Sequence, residues 1–110
     1  MSKTTFRPRN EFRYNNYTRH PNYVFGEDDN SYHSLGITHE KYTFGRKNMP
    51  LAQNPKRGDK SKAYIRNGVI RRNKKYYGRI LTDYSFSSED KAKIKSKIRQ
   101  YKKRNRHKKR

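Results

Sequence analysis

The chain has 110 residues, no Cys, 30 Lys and Arg against 9 Asp and Glu, and a formal charge of +21. The missing Cys removes disulfides, Cys-ligated zinc and thiol nucleophiles together, and the length leaves room for one small domain. Leu, Ile, Val and Phe total only sixteen, so ten Tyr must thicken a thin core or serve as stacking surfaces for bases.

Residues 1–20 alternate aromatics with Arg and Asn around Pro8 without a sustained period. This predicts an extended or disordered basic and aromatic arm, able to order on nucleic acid. Asn22-Tyr23-Val24-Phe25 and Ser31 to His39 read as two strands of a hairpin, joined at Gly26 to Asn30. The acidic cluster Glu27, Asp28 and Asp29 falls in that turn, where side chains are expected to face water. In the second strand His33, Leu35, Ile37 and His39 share one face. Gly45 to Asp59 reads as a loop pinned by Met49 and Leu51. Ala63 to Arg66 and Val69 to Arg71 resume strand character around Asn67-Gly68, a two-residue hairpin signal. Lys74-Lys75 supplies a turn before a strand at Tyr76 to Leu81. Ser87 caps a helix with Glu89 and Asp90 in its first turn, and the helix runs to about Arg104 with Ile94, Ile98 and Tyr101 as a narrow apolar stripe. The expected fold is α+β: a small antiparallel sheet of four to five short strands, then one basic C-terminal helix. The parts are an arm over 1–20, a single domain over 21–104 and a basic tail over 105–110.

Charge rises along the chain. Residues 1–50 carry a net +3, residues 51–90 a net +6, and residues 91–110 a net +12 with no acid. A solvated surface normally mixes both signs, so this gradient marks a polyanion-binding end. The candidate phosphate contacts are Lys91, Lys95, Lys97, Arg99, Lys102, Lys103, Arg104, Arg106, Lys108, Lys109 and Arg110, with Arg71, Arg72, Lys74, Lys75 and Tyr76 on or beside the sheet. RNA is the leading partner and DNA the alternative, because the Tyr content suits unpaired bases and no helix-turn-helix, zinc-finger or zipper pattern exists. Assembly into a ribonucleoprotein is one form of this reading. An acidic protein partner, such as an antitoxin, meets the same charge. No apolar run reaches ten residues and Met1-Ser2-Lys3 lacks a myristoylation Gly, so no membrane partner is expected and a cytoplasmic location is.

Chemistry has one inventory to draw on. Metal-independent RNA cleavage needs a proton acceptor, a cation at the phosphate and a second acid. His33 can supply the acid or base, Arg66 or Arg79 the phosphate clamp, and Tyr64 a hydroxyl or a base platform; a pure binder would carry the same residue types. No cofactor or metal is implied, since every Gly is isolated and the acids are few. The run His33-Ser34-Leu35-Gly36-Ile37-Thr38, the Pro50-Leu51 and Asn54-Pro55 loop, Ala63-Tyr64-Ile65 and Ser85-Phe86-Ser87 resemble small basic proteins of phages and mobile elements. Some of those are similar to the barnase, EndoU, colicin and RelE group of RNases, a group that usually places its helices before the sheet. The resemblance implies a toxin-like metal-independent ribonuclease with His33, Thr38 and Arg66 or Arg79 as its reactive set.

Overall fold

A computed structural model describes the backbone of residues 6–108 and side chains of residues 6–104. Its elements are β1 (Arg7–Asn15), β2 (His20–Glu27), β3 (Ser31–Thr38), the short β4 (Tyr42–Thr43), β5 (Arg46–Lys47) and β6 (Met49–Pro50), then β7 (Tyr64–Asn73), a 3-10 turn (Lys74–Tyr76), β8 (Tyr77–Ile80) and α1 (Ser88–Lys108). The class is α+β, an antiparallel sheet followed by a C-terminal helix.

Six strands form one sheet in the order β6-β7-β3-β2-β1-β8, and β4-β5 form a separate hairpin. The extended N-terminal segment is stitched into this sheet: β1 pairs with β2 on one side and β8 on the other. β7 and β8 are consecutive strands, yet β3, β2 and β1 lie between them. A flat sheet would separate them by roughly 19 Å, four strand spacings. The four steps from Asn73 to Tyr77 reach at most about 14 Å. The sheet must therefore curl, and the 3-10 turn closes its end through Asn16 N–H to the Tyr76 carbonyl (2.8 Å) and Lys74 N–H to the Asn30 carbonyl (2.9 Å).

Alternation along the strands gives two buried faces. One carries Phe12, Phe25, Leu35, Ile37 and Ile65, closed by Leu51, Ala63, Phe86 and the helix residue Ile94, with Ile98 and Tyr101 packed beside it. The expected apolar stripe of α1 is thus the stripe that docks. The other face buries Val24, Tyr32 and Tyr77 around a polar core. There Ser34 Oγ donates to Asn22 Oδ1 (2.9 Å), Asn15 Nδ2 donates to the same oxygen (2.9 Å), and Ser34 meets the Tyr77 hydroxyl (2.9 Å). Buried polar atoms are tolerable because they satisfy one another.

Asn67-Gly68 does not turn the chain. β7 runs through it, and the pairing with β3 jumps from Leu35↔Val69 to Ile37↔Ile65, so the extra residues form a bulge. Asn67 spends its turn-forming hydrogen bonds on Asn48 instead: its N–H and Nδ2 both donate to Asn48 Oδ1, at 3.1 and 3.2 Å. The helix start matches expectation, with Asp90 N–H donating to Ser87 Oγ (3.2 Å). The Asp90 carboxylate, 0% exposed, accepts the N–H groups of Ala52 (2.8 Å) and Gln53 (3.2 Å), which fastens the long loop to the helix.

Candidate nucleic-acid interface

Acids decide which cations are free. Glu11 pairs with Arg9 and Arg13, Glu27 with Arg7, Arg9 and Lys74, Asp29 with Arg7, and Asp28 with Arg71. These pairs tie β1, the end of β2, the β2-β3 turn and the end of β7 to one another through side chains. Lys74 Nζ lies 2.8 Å from Glu27 Oε1, and its hydrogen bond holds the Glu27 carboxyl below the usual range. Of the cations expected to grip phosphate, Arg71 and Lys74 are therefore committed to carboxylates within the fold.

The helix is arranged differently. Lys91, Lys95, Arg99, Lys102, Lys103 and Arg104 are exposed along α1, and its only acids, Glu89 and Asp90, are in the first turn. Cations four residues apart on a helix stand about 6 Å apart along the axis, so Lys91, Lys95 and Arg99 form a row. Lys97 is half-buried, and burial first, then Arg104, lowers its ammonium pKa. Arg106 and Lys108 continue the helix, while Lys109 and Arg110 lie outside the described residues. Lys91 and Lys95 also border a groove of about 480 Å³ floored by Phe12, Tyr23, Phe86 and Ile94.

Aromatic and basic side chains meet at the curled end of the sheet. The Arg72 guanidinium lies 4.0 Å from the Tyr17 ring centroid, Tyr17 meets Tyr76 edge-on at 5.4 Å, and Lys75 Nζ is 5.3 Å from the Tyr76 ring. Tyr17 is 55% exposed. Such a stack presents flat surfaces and positive charge together, which unpaired bases require.

The residues considered for catalysis are dispersed. His33 is buried on β3, with Nε2 2.9 Å from Asp28 Oδ2 and Nδ1 3.1 Å from the Tyr101 hydroxyl, and the Phe6 ring packs edge-on at 5.2 Å. Both ring nitrogens are thus occupied by the fold. Asp28, expected in water, is 3% exposed. Burial alone would raise its carboxyl, but hydrogen bonds from His33, Arg71 and the Asn30 and Ser31 N–H groups outweigh it and hold the group well below the ordinary carboxylate range. Thr38 is buried at the far end of β3, where its Oγ1 accepts the Glu40 N–H, and Tyr64 is its cross-strand neighbour. Arg66 lies across Gly36, and Arg79 is exposed on β8 at the opposite edge of the sheet. No single cleft collects the set.

A different constellation does share one groove. His20, Thr38, His39, Glu40, Lys56, Asp59 and Tyr84 line a depression of about 260 Å³. Burial, followed by the charge of Arg66 and then His39, lowers the His20 pKa. His39 Nε2 lies 3.4 Å from Ser61 Oγ, which donates to Asp59 Oδ1 (2.6 Å). The signal for His20 was hairpin register: Asn22 pairs with Gly36, so continuing the ladder brings His20 toward Thr38 and His39. No protein-family model matches the chain, and neither curated proteins nor solved structures provide a match. Among the described residues no helix is long and apolar enough to cross a membrane.

Proposed function

We propose that this protein is a cytoplasmic RNA-binding protein that grips phosphates with the outer face of α1 and stacks unpaired bases on its Tyr and Arg surfaces. The supporting observation is the partition of charge: Arg7, Arg9, Arg13, Arg71 and Lys74 meet carboxylates, whereas Lys95, Arg99, Lys102 and Lys103 lie on a helix whose acids are confined to its first turn. Ten Tyr favour RNA over duplex DNA, since stacking needs unpaired bases. The test is fluorescence anisotropy with a single-stranded RNA over a range of salt. Lys95→Gln, Arg99→Gln and Lys102→Gln together should shrink the log-log salt slope by about 2, at ~0.7 per single-strand phosphate contact. A wild-type slope near about -1 would overturn the reading, because it leaves only one or two phosphates neutralised.

A second reading, metal-independent ribonuclease, draws support from the groove that holds His20, His39 and Lys56. One imidazole would take the 2′-hydroxyl proton as O2′ attacks phosphorus. The P–O5′ bond breaks, the second imidazolium protonates the leaving oxygen, and Lys56 faces the phosphate charge. The lowered pKa of His20 suits the base. Incubation with RNA in EDTA should yield 2′,3′-cyclic phosphate ends that vanish in His39→Ala while binding persists; uncut RNA at any wild-type concentration removes this reading.

A further inference from the structure

The β4-β5 hairpin places Phe44 at its tip, 93% exposed. One exposed apolar residue needs no explanation by itself. Phe44, however, also has φ +51, and Gly45 follows at φ +76. Those are the two central positions of a tight hairpin turn with both φ values positive, for which Asn-Gly is the favoured pair. A bulky L-residue in the left-handed region is a steric outlier, so the fold carries a cost to hold a large ring in solvent.

The hairpin is also held firmly against the sheet. Asn48, 2% exposed, donates through Nδ2 to the Glu40 carbonyl (3.0 Å) and to Thr43 Oγ1 (2.7 Å), and its N–H donates to the Lys41 carbonyl (2.9 Å). Its Oδ1 accepts from Asn67 on β7, and Asn67 Nδ2 reaches the Arg46 carbonyl (3.3 Å). The turn-prone residues of β7 thus serve as the hairpin's mount. On the same hairpin and its flank Lys41, Arg46 and Lys47 are exposed, with Lys41 Nζ 5.9 Å from the Tyr42 ring, and the Arg66 guanidinium lies 5.9 Å from the Phe44 centroid. Tyr42, 54% exposed, adds a second ring on the same hairpin.

We infer that this hairpin is a base-stacking finger: Phe44 inserts against an unpaired nucleobase of single-stranded RNA while Lys41, Arg46 and Lys47 hold the flanking phosphates. Charge complementarity selects the occupant, since an exposed ring with a guanidinium beside it and three more exposed cations within three residues along the chain suits a base flanked by phosphates better than an apolar protein groove. A fixed ring loses little freedom on binding, which accounts for the rigid mount. The inference rests on the RNA-binding reading and adds the Phe44 hairpin as a place where an unpaired base is stacked.

The experiment uses the full chain, a single-stranded RNA of about 12 nucleotides with one central 2-aminopurine, a duplex of the same length, and anionic phospholipid vesicles. Wild type should quench the 2-aminopurine. Phe44→Ala should weaken single-strand binding by about 5- to 150-fold, the span of one base stack, with the salt slope and duplex affinity unchanged. Phe44→Trp should bind as wild type. Phe44→Asn, which the left-handed position tolerates, should melt no lower than wild type while losing the same affinity, so that lost binding is not lost folding. Equal single-strand affinity for wild type and Phe44→Ala overturns the inference, as does an equal loss on duplex, or vesicle binding that depends on Phe44 while RNA binding does not. If wild type binds no RNA at all, the phosphate-binding reading fails first, and that result differs from a wild type that binds without needing Phe44.

Discussion

Asp28→Asn isolates the junction that joins the β2-β3 turn, the sheet and the helix. In wild type Asp28 Oδ1 accepts the N–H groups of Asn30 (3.1 Å) and Ser31 (2.9 Å), while Oδ2 faces His33 Nε2 (2.9 Å) and Arg71 (2.8 Å). His33 then reaches Tyr101 of α1. Asn keeps one acceptor for the turn but places a donor against the donors of Arg71 or His33. Removing one partner of a buried pair costs roughly 3–5 kcal/mol, and because Arg71 is half exposed we expect the low end, about 3 kcal/mol. That corresponds to a fall in Tm of roughly 10–20 °C for a domain of this size. The sign of the pH dependence follows from the depressed carboxyl: its contribution is complete above the unfolded value near ~4 and is lost as pH falls below it. Thermal melts by circular dichroism should show a constant gap between wild type and Asp28→Asn from pH 7 down to about 5, closing at more acidic pH. A gap under about 3 °C at neutral pH, or one that stays open in acid, would refute the assignment of Asp28 as a buried carboxylate hub.

Asp90→Ala should lower stability by about 2–3 kcal/mol in urea titration, since the Ala52 and Gln53 N–H groups lose a charged acceptor; an unchanged midpoint refutes the clasp. Gly26→Ala drives a Cβ into the Phe6 ring at Cζ, so the ring must leave its place against Phe25 and His33, at a cost of about 1–2 kcal/mol. Gly68→Ala, with nothing within 4 Å, is the control, and equal melting of the two variants would contradict the packing of Phe6 on Gly26.

Much of the fold was legible where local signals and burial agree. Ser87, Asp90, Ile94, Ile98 and Tyr101 define the helix because cap and stripe coincide, and Val24, Phe25, Leu35 and Ile37 define the central hairpin because their alternation is apolar. β1 was legible only as extended chain. Arg9, Glu11 and Arg13 are half-buried charged residues that satisfy one another or Glu27, with Arg9 and Arg13 beside the Tyr32 ring, so Phe12 stands alone as the strand's buried apolar signal. Asn67-Gly68 misled because the same flexibility serves a bulge as well as a turn, and only the partner strand decides which. Grouping His20 with His39, and mounting Phe44 on Asn67 through Asn48, depend on strand register and tertiary hydrogen bonds that no local pattern encodes.

The placement of the acids explains how a chain of +21 can fold and still keep an uncompensated cationic face. Glu11, Glu27, Asp28 and Asp29 meet Arg7, Arg9, Arg13, Arg71 and Lys74, so this group of four acids and five cations is nearly neutral. The same acids spread evenly over the surface would have left repulsion inside the sheet and reduced the contrast between sheet and helix. Concentrated as they are, they leave α1 uncompensated along its outer face while Ile94, Ile98 and Tyr101 hold it in place by packing. Beyond Tyr101 the sequence has basic residues and no apolar one, so these cations repel one another in dilute salt. A polyanion laid along that face would remove this repulsion, so on the proposed function ligand binding and helix stability should rise together.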